Sequence, residues 1–200
     1  IFNSDLSDIK IQNKITLNFR ENNSEEFDYL IAADGVFSKT KQILFKKDGL
    51  PKYFDSIALR GNIKNFENFD ISLFLGPNFH FVTYPINQNN EFNFISIIRK
   101  ELIEKEISNR SLFEDNSFIN SLLNQISSKS KIDLLGKVKD IKCFPIFVSK
   151  EVQIPNLKNV FLIGDAFYSF PPSFAQGASQ SIEAANEVFN DLKNNTFDYY

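Results

Sequence analysis

The pattern of apolar and polar positions predicts strands at the start of the chain and a separate sheet further along. Alternation from Ile9 to Arg20 predicts one strand, and a largely apolar stretch from Phe27 to Ala33 predicts another after a polar turn at residues 21–26. Ser38 to Phe45 predicts a short helix. Four segments rich in β-branched and aromatic residues then predict an antiparallel sheet with its own core: Ser56 to Asn65, Ile71 to Leu75, Phe79 to Pro85 and Phe92 to Arg99.

The later part of the chain predicts two helices and two strands. Ser111 to Ser127 is amphipathic and fits a helix that covers one face of the sheet. Asp140 to Val148 and Asn159 to Gly164 predict strands, and a helix follows from Gln176 to about Leu192. This order indicates a mixed α/β (α+β) fold in two regions, residues 1–49 with 146–200 and residues 50–145.

Composition narrows the class of protein. Hydrophobic residues make up 42% and charged residues 24%, values typical of globular domains, and no apolar run approaches the roughly 18 residues that cross a bilayer. A net charge of -3 without a basic stripe argues against nucleic acid as a partner, and no residue cluster indicates a metal site. The single cysteine, Cys143, excludes an internal disulfide and favours a reducing, cytoplasmic location. The pattern does not indicate an oligomeric state.

The most informative segment runs from Asn159 to Asn186. An apolar strand leads into Gly164-Asp165, a proline-containing turn follows, and a helix opens at Gln176-Gly177. A helix start offers unpaired N–H groups and a partial positive charge, while a carboxylate at a strand end accepts hydrogen bonds from hydroxyls. A flavin needs both, because its ribityl chain carries hydroxyls and its pyrimidine end becomes negative on reduction.

This segment resembles the GD motif of FAD-dependent aromatic hydroxylases, the single-component flavoprotein monooxygenases. Ala175-Gln176-Gly177-Ala178 with Ile182-Glu183 is most similar to the salicylate-hydroxylase-like branch. Upstream, Asp28 to Ser38 (DYLIAADGVFS) resembles the DG motif of the same family. An isolated Gly-Asp pair after a strand is usually a simple turn, but two motifs in the family's order, about 130 residues apart, are far more specific.

The resemblance implies a fold and an activity. The fold would be part of a Rossmann-like FAD-binding domain (residues 1–49 and 146–200) with an inserted antiparallel-sheet substrate domain (residues 50–145). The activity would be hydroxylation of a small aromatic substrate with FAD, NAD(P)H and O2, through a flavin C4a-hydroperoxide. The family's GxGxxG unit is absent from these 200 residues. The chain is therefore expected to be the C-terminal part of a longer protein and to be inactive alone; the alternative is a short protein without the ADP-binding unit.

The resemblance also assigns roles to the motif residues. Asp165 would bind the ribityl chain, with Gly164 allowing close backbone approach. The N–H groups of Gly177 and Ala178, after Gln176, would face the flavin N1–C2=O edge. Pro172 matches a family proline whose backbone lies near the substrate hydroxyl, although it could also merely shape the turn. Asp34-Gly35 would lie near the pyrophosphate.

Four further residues have open interpretations. His80 and Tyr84 are four apart on a predicted strand and so share a face, where His80 could take a phenol proton directly or through Tyr84; an ordinary structural role for His80 is the alternative. Lys41 stands where the family commonly has Arg and would be a weaker phosphate or carboxylate partner. Arg60 could contact a ligand or pair with a carboxylate.

The chain departs from the branch in the GD segment itself. It has Phe167-Tyr168 where the branch usually has Ala-His, and Ala184-Ala185 after Glu183 where the branch usually has Asp-Ala. These changes alter the packing expected near the flavin. A non-hydroxylating flavin oxidoreductase of the same fold and a catalytically inert fragment therefore stand beside the hydroxylase as alternative functions.

Overall fold

The computed structural model describes residues 4–20, 23–64, 70–87, 90–130, 137–150, 157 and 159–194. The chain divides into two compact units, which we call the first unit (residues 1–52 and 147–200) and the second unit (residues 53–146). The assignment of these regions to FAD and to substrate stays a prediction.

The first unit contains two small sheets. An antiparallel sheet is formed by β1 (Leu6–Ile11), β2 (Ile15–Phe19) and β3 (Ser24–Phe27), and a parallel pair by β4 (Leu30–Ala32) and β10 (Val160–Leu162). Two helices, α1 (Lys39–Phe45) and α4 (Gly177–Asn194), accompany them. The buried centre consists of Ile9, Ile15 and Val160, with partly buried neighbours from β2, β4 and α1.

The second unit is built on one five-stranded sheet. Its strands are β5 (Lys52–Lys64), β6 (Ser72–Gly76), β7 (Phe79–Pro85), β8 (Glu91–Arg99) and β9 (Val138–Val148). They lie side by side in the order β6-β7-β8-β5-β9. Most of β9 belongs to this unit. The pairs β6–β7, β7–β8 and β8–β5 are antiparallel. Two helices complete the unit, α2 (Glu104–Ile107) and α3 (Asn116–Ser130).

One face of this sheet forms the main core. Burial alternates along β7 and β8, so that Phe79, Phe81, Phe92 and Phe94 lie inside. The rings of Phe74 and Phe81 stack at a centroid separation of 4.4 Å, and buried residues of α3 pack in the same cluster. The side chains at the intervening positions of β7 and β8 lie on the opposite face, which is only partly buried. A ligand can therefore reach that face.

The structure corrects four element predictions. One is the predicted strand from Phe27 to Ala33, because Phe27 ends β3 and only Leu30–Ala32 forms β4. The predicted strand from Ile9 to Arg20 is two strands joined by a turn in which Gln12 N donates to Lys14 O. Alternation continues on both sides of this turn, so periodicity alone does not reveal it. The polar turn at 21–26 gives way to β3 from Ser24, and residues 21 and 22, like Asn65 of the predicted sheet, lie outside the described residues.

The predicted helix from Ser111 to Ser127 begins later than expected. A 3-10 helix occupies Arg110–Glu114, and α3 starts only at Asn116. Asp115 explains the break, because its Oδ1 accepts hydrogen bonds from the N–H groups of Ser117 (2.6 Å) and Phe118 (3.2 Å) and so caps the new helix. The short helix α2 was not predicted.

The observed architecture agrees with the predicted mixed α/β class and its antiparallel sheet. The Rossmann-like character of the first unit stays a prediction, since the described residues contain one pair of parallel strands there. Among the described residues, no helix has the length and apolar character needed to span a membrane.

Candidate functional site

The two motifs lie at the same edge of the parallel strand pair. Ala32 of β4 lies opposite Leu162 of β10, and Ile163 N donates to Ala32 O at 2.9 Å. Because the strands run in the same direction, both leave the sheet at the same end, Asp34 two residues after one strand and Gly164 two residues after the other. The carboxyl ends of parallel strands are the usual ligand-binding edge of α/β proteins.

Gly164 and Asp165 form a tight turn at this edge. A 3-10 helix spans Gly164–Ala166, and the N–H groups of Phe167 and Tyr168 both donate to Gly164 O at 3.0 Å. Gly164 has a φ of +58°, and a Cβ placed there would lie 2.9 Å from Ser181 Oγ of α4. Backbone conformation and packing against α4 therefore require this glycine, a reason that the sequence did not reveal. Asp165 itself is exposed.

The start of α4 is open. The first hydrogen bond of helical spacing joins Gln180 N to Gln176 O (3.0 Å), so the N–H groups of Gly177 and Ala178 precede the ladder and have no partner within the helix. Both residues are exposed, and a Cβ on Gly177 would meet no atom within 4 Å. Within the described part of the chain, this helix end thus offers unpaired donors together with a partial positive charge. Pro172 lies just before it, exposed, in the 3-10 helix Pro172–Phe174.

Asp34 organises the start of α1. Its Oδ2 accepts from Thr40 N at 3.0 Å, while Ser38 Oγ accepts from Lys41 N at 2.9 Å. Partial burial pushes the pKa of Asp34 upward, but hydrogen bonds from Ser38 and Thr40 outweigh it and leave the pKa below its ordinary value. Gly35 follows with a φ of +78°. This capping role of Asp34 was not predicted.

Lys41 does not face solvent, which corrects its interpretation as an anion partner. The residue is 4% exposed, and its Nζ donates to Phe167 O (2.8 Å) and Ser149 Oγ (3.3 Å). Burial lowers the pKa of this amine from its ordinary value. The residue therefore joins the start of α1 to the turn after Asp165, inside the first unit.

In the second unit, His80 and Tyr84 lie on the face of β7 opposite the main core. Both are partly buried, and alternation of burial along β7 puts them on the same side of the strand. Four residue steps along the strand place their backbones about 13 Å apart, so the two side chains are too far apart to bond directly. Transfer of a phenol proton through Tyr84 to His80 is therefore not supported.

Neighbours on the same face define the surroundings of these two side chains. His80 is paired with Leu75 and Ile97, and burial lowers its pKa from the ordinary value, which favours a neutral imidazole at neutral pH. Tyr84 Oη accepts a hydrogen bond from Asn93 Nδ2 of β8. Arg60, opposite Ile95, is exposed on this face, and it makes no ion pair within the described residues.

A groove of about 930 Å³ also opens in the first unit. Its lining includes Gly164, Gly177 and aromatic side chains of the turn after Asp165. The α4 side carries Glu183, Glu187 and Asp191, so this side is acidic and disfavours a phosphate.

Two other chemistries lack a site in the part of the chain that the structure describes. No group of three or more His, Cys, Asp or Glu side chains could hold a metal ion there. Cys143 is buried, and burial raises the pKa of its thiol to about 12, so it is not a nucleophile.

Two curated proteins of similar sequence are 3-amino-4-hydroxybenzoate 2-monooxygenases. A curated relative from Streptomyces platensis, 3-amino-4-hydroxybenzoate 2-monooxygenase PtnB3, is 26% identical over 178 residues, which cover 86% of this chain and 43% of the relative. The chain thus spans less than half the length of the curated relatives it matches. No protein-family model matches it.

Solved structures show the same fold at low sequence identity. The 2,6-dihydroxypyridine-3-hydroxylase from Arthrobacter nicotinovorans has a TM-score of 0.73 at 19% identity, covering 97% of this chain and 56% of that one. A salicylate hydroxylase substrate complex has a TM-score of 0.67 at 18% identity, covering 90% and 49%. HpxO from Klebsiella pneumoniae, complexed with FAD and uric acid, has a TM-score of 0.62 at 16% identity, covering 90% and 46%. The predicted resemblance to FAD-dependent aromatic hydroxylases is confirmed.

Proposed function

We propose that these 200 residues supply the flavin-binding edge and the substrate face of an FAD-dependent monooxygenase that hydroxylates a small aromatic compound with NAD(P)H and O2. The observation that carries the proposal is the shared edge in the first unit. Asp34 and Asp165 both follow the carboxyl ends of parallel strands, and the open start of α4 follows Asp165 in sequence.

The residues at this edge fit a flavin. Asp165 is exposed and can accept hydrogen bonds from ribityl hydroxyls. Gly177 presents a helix end with open space where a side chain would be, so a planar ring can approach the N–H groups of Gly177 and Ala178. Gln176 O accepts the first hydrogen bond of this helix, and Pro172 lies in the 3-10 helix that precedes it. FAD, when bound, supplies the redox chemistry that activates O2, while the helix start stabilises negative charge on the ring's pyrimidine edge.

The partly buried face of the second unit fits an aromatic substrate. Apolar side chains of β7 and β8 give a surface for a flat ring, between His80 and Tyr84. His80, neutral at neutral pH, can accept the proton of a phenol. Because Asn93 donates to Tyr84 Oη, the Tyr84 hydroxyl hydrogen is left to donate to a substrate oxygen. Both groups would activate and orient the ring for attack.

Measuring how tightly NAD(P)H oxidation is coupled to hydroxylation tests this function. In the complete gene product, we expect His80→Ala and Tyr84→Phe to keep FAD yet to oxidise NAD(P)H with release of hydrogen peroxide in place of product. Loss of general acid–base catalysis should lower the hydroxylation rate about a hundredfold or more. Product and peroxide are quantified together on an activating phenol or aromatic acid.

The pH profile of product yield adds a second readout. His80 acts as a base only when neutral, so the yield should be full above the ordinary histidine pKa of 6.5 and fall as the pH drops through the lowered pKa. His80→Ala should show no such fall. Tyr53→Phe, which removes a hydroxyl from another strand of the same sheet, is the control and should couple normally. Normal coupling in His80→Ala and Tyr84→Phe would show that these two residues do not belong to the site. NAD(P)H oxidation that yields no hydroxylated product from any phenol would favour the non-hydroxylating alternative.

A further inference from the structure

The buried amine of Lys41 lies between the two cofactor motifs of the first unit. Its backbone belongs to the first turn of α1, which Asp34 and Ser38 cap through Thr40 N and Lys41 N. Its Nζ crosses to the other motif and donates to Phe167 O at 2.8 Å. Among the described residues, this amine makes no ion pair with a carboxylate.

A small hydrogen-bond network continues from Lys41 along the turn. Ser149 Oγ accepts from Lys41 Nζ (3.3 Å) and from Ser169 N (2.9 Å), and Ser149 N donates to Ser169 O (3.1 Å). Phe167 N in turn donates to Gly164 O (3.0 Å). The segment from Gly164 to Ser169 is therefore fixed at both ends, and Asp165 lies within it.

We propose that Lys41 is a positioning residue that holds the Gly164–Ala166 turn, and with it the Asp165 carboxylate, in the geometry that binds the flavin ribityl chain. This inference rests on the proposed function for its ligand, but the contact network exists without one. Lys41 touches neither substrate nor cofactor, and it acts through Phe167 and Ser149.

Burial makes this arrangement costly for the protein. A charged amine surrounded by neutral acceptors loses hydration that two hydrogen bonds only partly replace, consistent with its lowered pKa. Replacement of the amine by an apolar group of similar length should therefore leave the global stability unchanged or higher, while the turn loses its tether. A residue that served only overall stability would show the opposite result.

The test compares Lys41→Met, Lys41→Arg and Lys39→Met in the complete gene product. Lys39 is exposed on the same helix, so Lys39→Met is a matched control for loss of a lysine. For Lys41→Met we expect backbone amide hydrogen exchange at Phe167 to Ser169 to accelerate about tenfold in the cofactor-free protein, with exchange in β8 unchanged. The Kd for FAD should rise about tenfold without a fall in the urea midpoint. Lys41→Arg, which keeps charged donors, should recover most of the affinity.

Two results would overturn the inference. Wild-type exchange at Phe167 to Ser169 in Lys41→Met would show that the amine does not hold the turn. A loss of FAD affinity that follows a parallel loss of stability would show a merely structural role. If the wild-type protein itself binds no FAD, the proposed function fails. The hydrogen-exchange rate at Phe167 to Ser169 in Lys41→Met still shows, in that case, whether Lys41 holds this turn.

Discussion

Two buried hydroxyls on neighbouring strands of the second unit differ in their hydrogen bonding. Thr83 Oγ1 is fully buried and has no hydrogen-bond partner among the described residues, whereas Ser96 Oγ donates to His80 O at 2.9 Å. Burial of an unpaired hydroxyl costs about 1 to 3 kcal/mol, while a made hydrogen bond contributes about 1 kcal/mol. The two residues should therefore respond to removal of the hydroxyl with opposite signs.

We expect Thr83→Val to raise the free energy of unfolding by about 1 kcal/mol and Ser96→Ala to lower it by about 1 kcal/mol. Urea unfolding monitored by circular dichroism measures both. Destabilisation by Thr83→Val would show that the threonine hydroxyl makes a stabilising hydrogen bond in the folded protein.

Some site residues have roles that follow from local sequence, and others depend on contacts between distant segments. The positions of Asp34 and Asp165 after their strands could be predicted, because strand ends and motif spacing are local properties. The inward orientation of Lys41 could not, because its acceptors Phe167 and Ser149 are more than 100 positions away in sequence. The packing of Gly164 against Ser181 is likewise a contact between elements and leaves no local pattern.

At the scale of elements, the start of α1 depends on a titratable cap. The pKa of Asp34 lies below its ordinary value in the folded protein, so its ionised form is stabilised by folding. This contribution is fully present above the ordinary pKa of an aspartate and is lost as the pH falls through the lowered pKa. Replacement of the carboxylate by a neutral group should therefore lower the stability at neutral pH and leave it unchanged in acid.

Asp34→Asn tests this cap. We expect the variant to be less stable than the wild type at pH 7 and the difference to shrink toward pH 3, measured as urea midpoints across that range. A difference that stays constant with pH would show that the Asp34 charge does not stabilise α1.

Strands and helices were predictable to different degrees. β7 has the predicted bounds, Phe79 to Pro85, and α4 begins one residue after the predicted start, because alternation and helical spacing are strong in both segments. The hairpin of β1 and β2 was missed because its turn does not interrupt the alternation. The late start of α3 was missed because, over so few residues, the spacing of apolar residues is nearly the same in a 3-10 helix and in an α-helix.

At the scale of the whole molecule, the two units differ in how well they bury their own elements. The second unit covers its sheet with α3 and contains most of the buried aromatic residues. In the first unit, α4 has no buried residue, and Ile182 and Phe189 are 71% and 60% exposed. Parallel strands are normally covered on both faces, so the first unit should be the less stable of the two. The sequence motifs predict a candidate site in this unit. They could not predict how far the helices and strands of the unit are buried against one another.

We propose that flavin binds at the shared edge of β4 and β10, with Asp165 as acceptor for the ribityl hydroxyls. The most direct measurement is the Kd for FAD of Asp165→Ala in the complete gene product, obtained from quenching of flavin fluorescence. Asp48→Ala, which removes an exposed aspartate from the same unit, is the control and should bind as the wild type does. Loss of a charge-assisted hydrogen bond, worth about 1.5 to 3 kcal/mol, predicts a Kd roughly ten- to a hundredfold higher for Asp165→Ala. An unchanged Kd in Asp165→Ala would show that this carboxylate does not bind the flavin.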